Sequence, residues 1–148
     1  MKTALAVAAR IAVGAVFIWG GFQHAVNPPE EFAVVMESYY ILPPSYLIPL
    51  ATFLPWAELW LGAFLIAGYK TRLSATGIAA MLLVFEIALI SAKARGIPLQ
   101  HCGCFGSSLR LPPEATIALD IVLLGCAWAA FRNGRDRWSL DDWISAGR

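Results

Sequence analysis

Four apolar runs of about twenty residues each dominate this 148-residue chain. Twenty apolar residues in a helix are long enough to cross the hydrocarbon core of a bilayer. Runs of that length force the fold, because in lipid every backbone N–H and C=O must be satisfied within the span itself. The runs lie at about 3–25, 46–69, 73–93 and 113–131. Only 14% of the residues are charged and 59% are hydrophobic, against about 25% charged in an ordinary soluble domain. One soluble core cannot absorb that much apolar surface. The expected architecture is therefore an all-α integral membrane protein, a four-transmembrane-helix bundle forming a single domain over 1–148, with a tail at 132–148. Met1-Lys2 and the apolar run behind it imitate a secretory signal, but the run continues to Ala25 without a convincing small-x-small cleavage site, so it reads as a retained first span. A net charge of +1 without a basic tract gives no sign of a nucleic-acid partner, and three cysteines are too few for a disulfide scaffold.

Between the first two spans lies Pro29-Glu30-Glu31-Phe32, continuing to Tyr40. Proline and two acids open a helix, and Phe32, Val35, Met36 and Tyr39 fall on one stripe. This short amphipathic helix is expected along the membrane surface, either packed over the bundle or as a docking element. The tail offers Ser139 as a cap with Asp142 three residues on, followed by Trp143 and Ile144, which suits an interfacial anchor. Lys2, Lys70, Arg72, Arg132, Arg135, Arg137 and Arg148 share one side of the four-span topology. By the positive-inside rule both termini are expected in the cytoplasm, and the loop between the third and fourth spans on the opposite, extracytoplasmic side.

That loop carries Gln100-His101-Cys102-Gly103-Cys104-Phe105-Gly106. Two cysteines separated by a glycine can close a small disulfide ring, too short to stabilise much by loop closure. Small, exposed rings are the exchanging kind. A redox role for Cys102 and Cys104 is the leading reading, with a metal site and inert thiols as the alternatives. Three ligands, His101 included, fall one short of a tetrahedral zinc site. His101, if protonated, would stabilise a neighbouring thiolate, or it is an ordinary loop histidine. Met36 and Met81 are too dispersed for a copper path.

Arg10, Glu58, Glu86 and Asp120 are ionisable groups inside spans, where each must find a partner. Arg10 with Glu58 is the expected bidentate pair. Glu86 and Asp120, in the outer half, read either as proton-handling groups beneath the thiol loop or as interhelical glue. Cys126, deep in the fourth span, reads as a small packing residue.

Several of these features recur together in one family. They are Arg10 followed by Phe17-x-x-Gly20-Gly21, Tyr40-x-Leu42-Pro43, Leu54-Pro55-x-x-Glu58-x-x-x-Gly62, and Cys102-Gly103-Cys104-Phe105-Gly106. The chain resembles the MauE-type methylamine-utilisation membrane proteins, relatives of the DoxX-like four-helix group, over roughly residues 5–131. The resemblance implies action beside a thioredoxin-like extracytoplasmic partner of the MauD type, in disulfide formation in exported clients such as the small subunit of methylamine dehydrogenase. DoxX-like relatives suggest a second class, a quinone-linked oxidoreductase subunit, whose pocket would be lined by Trp19, Phe22, Trp56 or Trp60. A metal-binding or chaperone module is the third. No cofactor is called for by the first reading; a quinone is the candidate under the second.

Overall fold

The computed structural model describes residues 2–97, 111–132 and 139–146. Six helices follow in order: α1 (Lys2–Val26), α2 (Pro29–Glu37), α3 (Pro44–Ala67), α4 (Thr71–Ala94), α5 (Pro113–Arg132) and α6 (Leu140–Ala146). Four of them, α1, α3, α4 and α5, are long and apolar enough to cross a membrane. The protein is an all-helical integral membrane protein with a short helix between its first two spans, as the apolar pattern requires.

Neighbouring contacts run α1–α3, α3–α4, α4–α5 and α5–α1, closing the four spans into a ring, with α2 laid against α3. The tightest seam is α1–α3, and glycine makes it. A Cβ added at Gly14 would come within 2.8 Å of the Gly62 carbonyl oxygen, and one at Gly62 within 2.8 Å of the Gly14 carbonyl oxygen. The two backbones touch directly, which is how helices gain van der Waals contact when lipid removes any hydrophobic drive between them. The interior is filled by Val13, Phe17, Leu65, Ile78, Leu82 and Leu123. A second cluster joins Phe32, Ala33 and Met36 of α2 to Leu47 and Ala51 of α3, so the stripe read from the sequence is the face that α2 buries.

α3 continues unbroken through Pro49 and Pro55, a tolerance that neighbouring helices confer on membrane spans. It starts at Pro44, earlier than the proline pair suggests, because a missing N–H costs nothing at the first helical turn. It stops at Gly68, whose φ of 69° is the left-handed cap that glycine adopts without penalty.

Both ends of the bundle are fastened. At the end bearing α6, the backbone N–H groups of Lys70 and Thr71 each donate to the Asp141 carboxylate at 2.8 Å, and the Thr71 hydroxyl donates at 3.0 Å. The Asp141 N–H donates back to the Gly68 carbonyl at 3.0 Å. A side chain 71 residues away thus caps α4, whose first N–H groups have no partner inside the helix. Ser139 is buried, and its hydroxyl accepts from the Asp142 N–H at 3.2 Å, the cap read from the sequence. Trp143 and Ile144 are exposed. At the opposite end, Lys93 and Glu114 meet at 2.6 Å, and the Arg95 guanidinium donates to the Tyr39 and Tyr40 carbonyls. Those bonds tie the C-terminal end of α2 to α4. α4 ends and α5 begins at this end, here called the loop end.

Candidate functional site

The buried face of α1 repeats Arg10, Val13, Phe17, Gly20 and His24, spaced by three or four residues. At its loop-end extreme His24 is 6% exposed, its ring stacked on Phe32 of α2 at 3.9 Å and 22°. Facing it across the bundle are two carboxyl groups. Glu58 comes from α3, 7% exposed, and Asp120 from α5, 5% exposed. All three line one cavity of about 40 Å³, whose apolar walls include Phe17, Phe32 and Phe85. That volume admits a very small number of water-sized groups, since a single water occupies about 10–15 Å³ on this measure.

The carboxyl oxygen Oε2 of Glu58 has no hydrogen-bond partner among the described residues. A buried acceptor left so costs about 1–3 kcal/mol, an arrangement expected where a ligand, water or proton completes the site. Glu86 Oε2 is in the same condition. It lies on α4 seven residues before Lys93, and Asp120 lies on α5 six residues after Glu114, so the Lys93–Glu114 contact sets both at a depth of about 10 Å from the loop end. Glu86 is not among the residues that wall the cavity.

Arg10 does not pair with Glu58, which corrects the pairing expected from the sequence. The residue opposite Glu58 is Gly21, where an added Cβ would meet the Glu58 Cβ at 2.9 Å. Arg10 is eleven residues earlier on α1, about 16 Å along the axis. Its guanidinium lies instead against Gly68, near enough that a Cβ there would reach Arg10 Nη1 at 2.7 Å, and its charge acts on Asp141. Arg10 therefore belongs to the α6 fastening, and Glu58 to the cavity.

Trp19, Phe22, Trp56 and Trp60 line neither the Glu58 cavity nor the groove between α2 and α4. They are 54%, 51%, 55% and 61% exposed on the outside of the α1–α3 pair, because the close glycine seam turns the opposite faces of both helices toward lipid. The larger apolar recess lies elsewhere. It is a groove of about 370 Å³ between α2 and α4, at the loop end, floored by Phe32, Met36 and Tyr39 on one side and Val84, Phe85 and Ala88 on the other.

Cys102, Cys104 and His101 lie outside the described residues, in the segment joining α4 to α5. Cys126 is half-buried against the main core cluster. Among the described residues no group of three or more histidine, cysteine, aspartate or glutamate side chains is placed to hold a metal. His24 is not among the site residues read from the sequence. Its signal was present, since it continues the three-and-four spacing through Val13, Phe17 and Gly20 onto the interior face.

A family profile described as methylamine utilisation protein MauE matches residues 2–132. The chain belongs to the MauE family. Among curated relatives it is 29% identical over 104 residues to a methylamine utilization protein MauE from Methylorubrum extorquens, covering 67% of this chain and 56% of that protein. It is 33% identical over 75 residues to a protein of the same description from Methylophilus methylotrophus, covering 51% of this chain and 40% of that one. The chain thus spans about half the length of the curated relatives it matches. No solved structure matches it. Within this MauE-family bundle, the matched region takes in all four spans, His24, Glu58, Asp120 and the Cys102–Cys104 pair.

Proposed function

We propose that this MauE-family protein is a membrane component of thiol–disulfide exchange that serves methylamine utilisation, acting with a thioredoxin-like partner on exported proteins. The observation that carries the reading is the Cys102-Gly103-Cys104 sequence in the segment joining two spans. In the exchange, a Cys102 or Cys104 thiolate attacks a partner disulfide. One S–S bond forms between the chains as the partner's own S–S bond breaks and releases a thiolate. Attack by the second cysteine then closes the intramolecular disulfide and releases the partner as a dithiol. The same steps run in reverse when the pair begins oxidised. The distribution of lysine and arginine supports an orientation with the termini in the cytoplasm and the thiol pair outside the inner membrane, where disulfides persist.

The test is trapping. A Cys102→Ser or Cys104→Ser chain keeps one attacking thiol and loses the resolving one, so a mixed disulfide with a thioredoxin-like protein should accumulate and be identifiable by mass after alkylation. If neither single variant traps any protein, or client oxidation survives their joint replacement by serine, the exchange reading is wrong.

A further inference from the structure

The groove between α2 and α4 reaches from the loop end down into a membrane span. Along α4 its wall runs from Val84 to Ser91, seven residues or about 10 Å of helix. Val84 lies ten residues, about 15 Å, inside the end of α4 at Ala94. Val84 and Ile87, each 65% exposed, form its outer rim, and the buried Phe32 and Met36 its depth. An occupant must therefore be at home beside hydrocarbon, which leaves another helix or a lipid chain. A helix is about 10 Å across with its side chains, so over that length it fills about 800 Å³, against about 370 Å³ in the groove. An acyl chain is narrow enough to enter.

One turn beyond Ser91 stands Arg95, which is exposed. Its Nε donates to the Ser91 carbonyl at 3.2 Å, and its two terminal nitrogens donate to the Tyr40 and Tyr39 carbonyls. Those three acceptors are uncharged. A guanidinium has five N–H groups, so one remains on each terminal nitrogen. Among the described residues no carboxylate pairs with Arg95, since Glu114 meets Lys93 and Glu37 of α2 is exposed and does not line the groove. Tyr40 has a φ of 51°, so Arg95 also holds the left-handed turn that brings Ile41 and Leu42 onto the groove wall. An apolar slot in a span, with an uncompensated cation at its mouth, is complementary to an amphiphile with an acyl chain and an anionic head.

We infer that the groove between α2 and α4 binds one acyl chain of an anionic phospholipid, with the phosphate on Arg95. The chain runs past Ala88 toward Val84, against Phe32 and Met36. The phosphate takes the two N–H groups that the tyrosine carbonyls leave, a planar fork suited to phosphate oxygens. α2 packs along α3, and the bound chain braces its other side against α4.

The experiment puts the full chain in phosphatidylcholine nanodiscs with a minor share of phosphatidylglycerol that carries a photoreactive group on one acyl chain, and maps the label by peptide. The exposed face of α3 at Phe53, Trp56 and Trp60 is the reference for lipid that merely surrounds the bundle. Label on 32–42 and 84–91 should exceed label on 53–60 by about fivefold, the preference one basic residue gives for an anionic head. Ala88→Trp places an indole in the groove from a half-buried position and should bring the two levels together. Arg95→Gln should lower groove label about fivefold, whereas Arg95→Lys keeps the charge and should retain most of it. A photoreactive diacylglycerol, which has the chains and no phosphate, should label the groove no more than the reference face. Equal label on groove and reference face in the unaltered chain, or groove label unchanged by Ala88→Trp, means surrounding lipid only and overturns the site. Groove peptides left unlabelled while the reference face is labelled mean that protein covers the groove, and the lipid falls with that result. Loss in Arg95→Lys as complete as in Arg95→Gln shows that Arg95 acts by holding α2, and overturns its contact with the phosphate. The diacylglycerol comparison needs no substitution, so it decides the head group even if Arg95→Gln fails to fold; groove label equal to that of phosphatidylglycerol overturns it.

Discussion

Replacing Asp141 by alanine tests whether the tail helix caps α4. The change removes three accepted hydrogen bonds at once, from the N–H groups of Lys70 and Thr71 and from the Thr71 hydroxyl. Loss of a helix N-cap costs about 0.5–2 kcal/mol, and bonds to a charged acceptor sit at the upper part of the range for hydrogen bonds. Asp141 is only half-buried, so solvent screening discounts its ionic share. A net loss of about 2 kcal/mol is expected, with Asp141→Asn losing about half, because its single carbonyl oxygen keeps part of the cap. The loss should depend on pH. Burial alone would raise the Asp141 pKa, but the N–H groups of Thr71 and Lys70, the Thr71 hydroxyl and the Arg10 charge outweigh it and hold the carboxyl below its usual value. A lowered folded pKa means that the folded chain binds fewer protons than the unfolded one. The stabilisation is therefore complete above the ordinary aspartate value of about 4 and fades as pH falls through the folded value. Thermal unfolding in detergent at pH 7, 5 and 3 should show a gap between wild type and Asp141→Ala that is full at the first two and shrinks at the third. Equal midpoints at pH 7, or a gap that widens in acid, would refute the cap.

At the glycine seam, Gly62→Ala sets a methyl group 2.8 Å from the Gly14 carbonyl oxygen and should cost about 1–3 kcal/mol as the helices are pushed apart, read as a lower unfolding temperature with the α-helical signal retained. The stability changes from Arg10→Leu and Glu58→Leu, whatever the sign of each, should add in the double variant within about 0.5 kcal/mol, because the groups sit at different depths; a coupling well above that would restore the rejected pair. Gly68→Ala should loosen α6, since the residue has a φ of 69° and its new methyl would meet Arg10 and Ser139 at 2.7 Å; faster proteolysis of the tail at 139–146 is the measurement. A membrane-impermeant thiol reagent added to intact cells should label reduced Cys102 or Cys104, and labelling only in broken cells would reverse the proposed orientation.

The four spans and the short helix were legible because each rests on a local property, run length for the spans and a stripe at helical spacing for α2. The cap at Ser139 was legible for the same reason, its partner being three residues away. What the chain order hid were contacts between distant positions. Glu58 and Arg10 are both buried charges in the first two spans, and chemistry alone pairs them. Their separation in depth follows from the register of α1 on α3, which Gly14, Gly21 and Gly62 set through contacts between backbones that leave no mark in hydropathy. Asp141 looked like one more acid at the start of a tail helix, since nothing near it in sequence shows that α4 lacks a cap. The outward placing of the four aromatics Trp19, Phe22, Trp56 and Trp60 was hidden for a related reason. A bulky aromatic in a span is equally consistent with an interior wall and with a lipid-facing one, and only the ring order of the helices distinguishes them.

The glycine seam also decides which parts of this bundle can respond to an event at the loop end. Two backbones in direct contact have no compliant side chains between them, so α1 cannot creep along α3 by a fraction of a turn; the next register is a whole turn of about 5.4 Å away. Gly21 packs just as closely on α3, against the Pro55 carbonyl oxygen and the Glu58 Cβ, which makes the acidic wall of the cavity part of a stiff strut. Its aromatic wall is built otherwise, from Phe32 and Phe85 on α2 and α4, elements held to one another at the loop end by the Arg95 bonds to two carbonyls. A disturbance of Arg95 would thus be felt as movement of the door while the latch stays still.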